Sequence, residues 1–354
     1  MDASNSALLE RGRSHPTAMT RRGFLAGCCA AVWGLASCSS KDTPVVVYTA
    51  LDEMYSRPIL DVFTARTRVP VRAVYDTEAA KTTGLVTRLI AEKERARADV
   101  FWNNETAQTV VLKKKGVIKP YLSPTAEAIP SRFRDPDGYW TGFAARGRVI
   151  IYHTGKVKTP PRSVLDFLKP EWSGKAAIAN PLFGTTATHA AALFALWGDE
   201  KARAFFAGLK RNKVAILPGN ATVRDLVARG EFEVGLTDTD DANGAMEDGL
   251  PAAWLFPDQR TDEMGTLVIP NTVALISGGP NPDAGKLLID HLLSLEVERT
   301  LAAMRSIQIP LNPAVTAPPK TPKIAEIKHM NVSFEAVADS MAHTARFIKD
   351  EFLG

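Results

Sequence analysis

The sequence predicts an α/β fold arranged as two lobes. Apolar, β-branched runs of strand type alternate with helix-periodic segments, the alternation restarts in the middle of the chain, and the length exceeds what one hydrophobic core fills comfortably. Val45–Thr49 is the first buried-type strand, and Glu53–Arg66 follows as a helix with Ile59, Leu60 and Phe63 on one face. Val69–Tyr75 reads as a strand, Ala79–Lys93 as a helix with Leu85, Leu89 and Ile90 at helical spacing, and Ala98–Trp102 as a third strand. Strand–helix–strand–helix–strand at this spacing is the doubly wound parallel pattern, in which ligands bind beyond the carboxyl ends of the strands. Those ends are polar: Thr49 to Asp52, Asp76 to Glu78, and Asn103-Asn104-Glu105.

The middle of the chain repeats the style. Arg148–Tyr152 is a strand expected to cross between lobes, Ser163–Leu168 a short helix and Ala176–Ala179 a strand. His189–Trp197, Glu200–Leu209 and Thr222–Arg229 read as helices, and Glu233–Thr237 as a strand. Leu267–Ile269 and Thr272–Ile276 form the return crossing, and Pro282–Leu293 and Glu296–Met304 are helices. A proline-rich connector, Ala317–Pro322, leads to a last helix over Ser333–Leu353.

The first 38 residues are an address rather than structure. Arg21-Arg22 precedes a short apolar run ending Leu35-Ala36-Ser37-Cys38, too short for a permanent membrane span of about 20 residues. Leu-Ala-Ser-Cys resembles a bacterial lipobox, which implies cleavage before Cys38 and a lipid on that cysteine, and the paired arginines resemble a Tat signal. An ordinary Sec signal with Arg21-Arg22 as its positive region is the alternative. Cleavage leaves 317 residues with a net charge of +2, against +4 for the whole chain. Cys28 and Cys29 leave with the signal, so the body has no cysteine pair to oxidise and relies on core burial. No basic tract points to nucleic acid.

Several segments, in order, resemble the extracellular solute-binding proteins of ABC importers, the ferric-iron-binding branch most closely. They are Val47-Tyr48-Thr49-Ala50, Ala98-Asp99-Val100-Phe101-Trp102, Gly138 to Arg146, Pro170 to Lys175, Gly265 to Ala274, and Gln308-Ile309-Pro310-Leu311. The resemblance spans about Val45 to Leu311. It implies a two-lobe periplasmic-binding-protein fold of type II, closing on one ligand around crossing hinge strands. It also implies a monomer with permease and ATPase partners and no catalytic activity. The boundaries it suggests are a signal over 1–37, a linker over 38–44, lobe 1 over 45–146 with 266–310, lobe 2 over 147–265, and a C-terminal helical segment over 311–354. In ferric-binding relatives a tyrosine pair, a histidine and a glutamate hold iron. These align with Asp240 and Asp241, Asp52, and Asn104 beside Glu105, so carboxylates stand where phenolates are expected.

Asp238, Asp240 and Asp241 are the sharpest candidate site. Three carboxylates within four residues repel unless a cation or water lies between them. They suit a hard cation such as Fe³⁺, Ca²⁺ or Mg²⁺, or an organic amine. They also suit a helix start, where acids favour the dipole. Thr185 and Thr186 after Gly184 offer donors to an anion such as a synergistic phosphate or carbonate, or to a phosphonate or other organic anion; plain N-capping explains them as well. Thr49, Asp52, Asn103, Asn104, Glu105, Arg146 and Asn220 complete the candidate ligand-binding set, each with a structural alternative in a helix start, a turn or a salt bridge. The histidines show no metal-ligand spacing, and no nucleophile elbow or P-loop is present. A secreted hydrolase with paired carboxylates and a sensor that binds without transport are the competing functions.

Overall fold

In the computed structural model the structure describes residues 43–76 and 83–354. The export signal, Cys38 and the start of the second expected helix lie outside the described residues. Strand β1 (Val45–Thr49) pairs in parallel with β2 (Val71–Tyr75) and β3 (Val100–Asn103), with helix α1 (Glu53–Thr67) between β1 and β2 and α2 (Thr83–Ala91) between β2 and β3. β2 begins after Pro70, which has no N–H to give a ladder. All five side chains of β1 are buried, because cores lie on both faces: Val45 and Val47 enter one, Val46 and Tyr48 the other.

A second parallel group repeats this. β6 (Ala176–Ala179) lies between β7 (Ala215–Leu217) and β8 (Val234–Asp238), with helices α4 (Gly184–Arg211), α5 (Asn220–Ala228) and, after β8, α6 (Thr239–Glu247). The two groups meet through antiparallel strands β5 (Thr141–His153) and β10 (Val268–Ile276). The sheet order is β2-β1-β3-β10-β5-β8-β6-β7, with β4 (Ile118–Lys119) on β10 and β9 (Ala252–Leu255) on β5. The fold is therefore the expected two-lobe α/β architecture.

Strand β5 is longer than the Arg148–Tyr152 stretch the sequence suggests. Its first half pairs with β10 and its second half with β8, so one continuous strand passes from one group to the other. The ladder slips at Pro270/Asn271, opposite Ala144, which holds a positive φ of 43°. Side chains hold this irregular spot. Glu298 of α8 (Leu295–Ala303) accepts from Ala144 N at 2.7 Å and from Leu311 N and Asn312 N at 2.9 Å each. Asn271 Nδ2 donates to the Ala144 carbonyl and, at 2.6 Å, to Gln308 Oε1. Burial pushes the Glu298 carboxyl above its ordinary range, while the three N–H groups pull the other way.

Among the described residues three strands and one α-helix escape the sequence reading: β4, β7, β9 and α3 (Ala107–Lys114). Threonine and valine in Ala107-Gln108-Thr109-Val110-Val111 mute the helical signal, and burial of Ala107, Val110 and Leu112 overrides it. Helix α4 starts at Gly184 rather than His189 and breaks at Gly198 (φ 75°), the boundary expected between its two parts. After α7 (Pro282–Leu292), α8 and a long connector, α9 (Phe334–Phe347) packs on both α3 and α4. It runs on into a π turn to Phe352 instead of continuing as regular helix. Among the described residues no helix is long and apolar enough to cross a membrane.

Glu298→Ala leaves three buried N–H groups without an acceptor at the crossing. Each costs about 1–3 kcal/mol, so urea denaturation is expected to show at least about 3 kcal/mol of lost stability.

Candidate functional site

The carboxyl ends of β1, β3, β6, β7 and β8 surround a cavity of 620 Å³. Helices α1, α4, α5 and α6 all begin at its wall, and helix N-termini carry partial positive charge. Four arginines stand at or beneath the wall: Arg146 and Arg148 of β5, Arg224 of α5 and Arg305. Four aspartates answer them: Asp52, Asp238, Asp240 and Asp241.

Arg148 is the buried centre of this arrangement. It is fully enclosed and lies directly across the ladder from Asp238. Its Nη1 donates to Asp238 Oδ1 at 2.7 Å, and to Thr185 Oγ1 and Asn220 Oδ1 at 3.1 Å each. Nη2 donates to Thr186 Oγ1 at 3.2 Å. The other oxygen of Asp238 accepts from Thr185 Oγ1 at 2.6 Å and Asn220 Nδ2 at 2.9 Å. Asp238 is the N-cap residue of α6 by position, yet its side chain makes no capping bond, because it is turned to Arg148.

Thr185 and Thr186 likewise do not cap α4. Phe183 is its N-cap residue, and Gly184 takes a φ of 54° that favours glycine at the turn into the helix. The threonine hydroxyls are instead joined to Arg148, Asp238 and Asn220. Asn220 opens α5 and ties all three elements together.

Asp240 and Asp241 occupy the first turn of α6. Asp240 Oδ2 lies 3.4 Å from Arg146 Nη1, and Asp241 Oδ1 lies 4.0 Å from Arg224 Nη1. Burial pulls the Arg146 guanidinium down, but Asp240, Asp238, Asp241 and Asp52 together push it above its ordinary value. One carboxylate oxygen from each of Asp238, Asp240 and Asp241 can be chosen so that all three lie within 4.8 Å of one another, close enough to share a metal ion. Tyr55 also lines the cavity, and burial followed by the charge of Asp240 pushes its phenol up.

Asp52, Asn104, Arg146, Thr185, Thr186, Asn220, Asp238, Asp240 and Asp241 all line one cavity. Thr49, Asn103 and Glu105 do not line it. Thr49 is enclosed and accepts from Leu51 N at 3.2 Å. Asn103 turns inward to Glu105 and Thr109. Glu105 is wholly buried, accepts from Ala107 N and Gln108 N at the start of α3, and receives the Thr188 hydroxyl of α4 at 2.7 Å. The unforeseen helix α3 is the reason: the loop after β3 is consumed in starting it. Sequence reasoning misses Arg148, Tyr55, Arg224 and Arg305. The signal for Arg148 is Arg-x-Arg inside an apolar strand, which places Arg146 and Arg148 on one face.

Arg148→Met strands the buried Asp238 carboxylate, and is expected to cost about 3–5 kcal/mol in chemical denaturation. Asp241→Ala, in the wetter pair with Arg224, is expected to cost under about 1 kcal/mol.

The sequence profile described as "Bacterial extracellular solute-binding protein" matches residues 99–333, and the chain belongs to that family. It is 26% identical over 314 residues to "Iron uptake protein A1" of Synechocystis, covering 86% of this chain and 84% of that protein. Iron-bound HitA from Pseudomonas aeruginosa superposes with a TM-score of 0.78 at 22% identity, over 86% of this chain and 99% of that one. AfuA from Actinobacillus pleuropneumoniae, with fructose-6-phosphate bound, gives 0.77 at 22% identity, over 88% and 99%.

Proposed function

We propose that this chain is the solute-capturing component of an ATP-driven importer, and that its solute is iron(III) carried as a complex with an anionic oxygen chelator. The observation that carries the reading is the pairing of acid with base at the cavity: Asp240 beside Arg146 and Asp241 beside Arg224. A hard trivalent cation seeks the carboxylates, and its chelator's oxygens seek the guanidinium groups, which suit carboxylate and phosphate geometry. Both oxygens of Asp238 are engaged by Arg148, Thr185 and Asn220, so it serves as the frame, and in this reading Asp240, Asp241 and Asp52 exchange their present contacts for the metal. The cavity of 620 Å³ has room for roughly 20 waters at about 30 Å³ each, far more than a bare ion fills. The iron-uptake relative and the iron-bound structural neighbour support this choice of metal.

A second reading is a phosphorylated organic anion without metal. Thr185 and Thr186 at the start of α4, the arginines, and the sugar-phosphate ligand of AfuA favour it. Calorimetric titration separates the two. Ferric citrate is expected to bind, citrate alone to bind far more weakly, and Asp240→Ala with Asp241→Ala to abolish the ferric signal. Binding of fructose 6-phosphate with no response to ferric citrate would sink the iron reading.

In this reading the capturing halves are residues 45–146 with 266–310, and 147–265, with 311–354 packed on both. The protein works as a monomer beside a permease and an ATPase, tethered through Cys38. Cys38→Ser is expected to release the protein from washed membranes into the soluble fraction, as followed by immunoblot.

A further inference from the structure

Helix α6 lies within residues 147–265, and its last turns are held by residues from outside that half. Its first turn presents Asp240 and Asp241 to the cavity. Its last turns are gripped by residues that follow α8. Arg305 Nη2 donates to the Gly244 carbonyl at 3.1 Å and pairs with Asp248. Asn243 Nδ2 donates to the Arg305 carbonyl at 2.9 Å, and Lys320 Nζ meets Glu247 at 2.6 Å. Arg305 and Arg224 both pack beside Gly244, where a Cβ would meet Arg305 Nε at 3.5 Å and Arg224 Nη1 at 3.6 Å, ordinary contact distances. Arg305 is also part of the cavity wall.

We propose that Arg305 is a positioning residue that couples occupancy of the cavity to closure of the two halves. The inference rests on the two-half capture reading above. Its force comes from Arg305 belonging to the cavity and to the grip at once. A ligand shifts a conformational equilibrium only through unequal affinity for the two states. Arg305 supplies the inequality, because its guanidinium reaches the cavity from the half opposite α6 only while the grip is formed. The gripping pairs suit a reversible contact. Arg305 and Asp248 are 41% and 46% exposed, Lys320 and Glu247 47% and 40%. Ion pairs this exposed hold weakly and are screened by salt.

The test removes the two ion pairs of the grip without changing a cavity residue. Glu247→Gln with Asp248→Asn alters neither a lining residue nor a buried one. Without added ligand, small-angle scattering is expected to give a larger radius of gyration than wild type, and 1 M salt is expected to enlarge the wild type but not the variant. The variant's Kd for ferric citrate is expected to rise about tenfold, within the usual range of coupling between sites, with its melting temperature unchanged. Lys320→Gln is expected to give a smaller effect of the same sign. A double variant with the wild-type radius at both salt concentrations overturns the proposal. If wild type binds no ferric citrate, the ligand reading fails, while the difference in radius without ligand still decides the grip.

Discussion

The ion pair between Arg148 and Asp238 sets the terms for the rest of the cavity. Two charges removed from water tolerate neither a lost partner nor a loose geometry. Antiparallel register places them opposite each other, and the starts of α4 and α5 converge on them through Thr185, Thr186 and Asn220. Four chain segments distant in sequence are thereby fixed within one hydrogen-bonded cluster. The cavity wall is preorganised from beneath, by bonds that several of its own lining side chains make to Arg148.

That division explains the charge distribution above. Asp240 and Asp241 repel each other, yet each has an arginine within 4.0 Å. The wall is a patterned surface of both signs, backed by four helix N-termini. Such a surface discriminates by arrangement. A bare cation satisfies the aspartates and displaces their arginine contacts, and a bare anion does the reverse. A solute carrying both signs satisfies both sets.

Much of this was legible in the sequence. Alternating strands and helices gave the doubly wound halves, and the polar strand ends gave the cavity rim from Asp52, Asn104, Thr185 and Asp240. What stayed hidden depended on pairing across long separations. Asp238 looked like one of three equal carboxylates until the register brought Arg148, 90 residues away, against it. Glu105 looked like a rim residue because α3 is a poor helix by propensity, and only burial of its apolar side commits the chain to that turn. Arg305 has no local signal, since its position depends on how the segment after α8 returns to α6.

The interleaving of β10 has a consequence in time. This strand lies between β3 and β5, and the sheet that β1 begins is unfinished until residues 268–276 exist. Contacts of such long sequence separation form late and slowly. A ribosome therefore releases most of the chain before the first half can close its core. The half that β1 begins is completed only when most of the chain is available, so any machinery that carries the protein across a membrane meets that half either before this closure or after it.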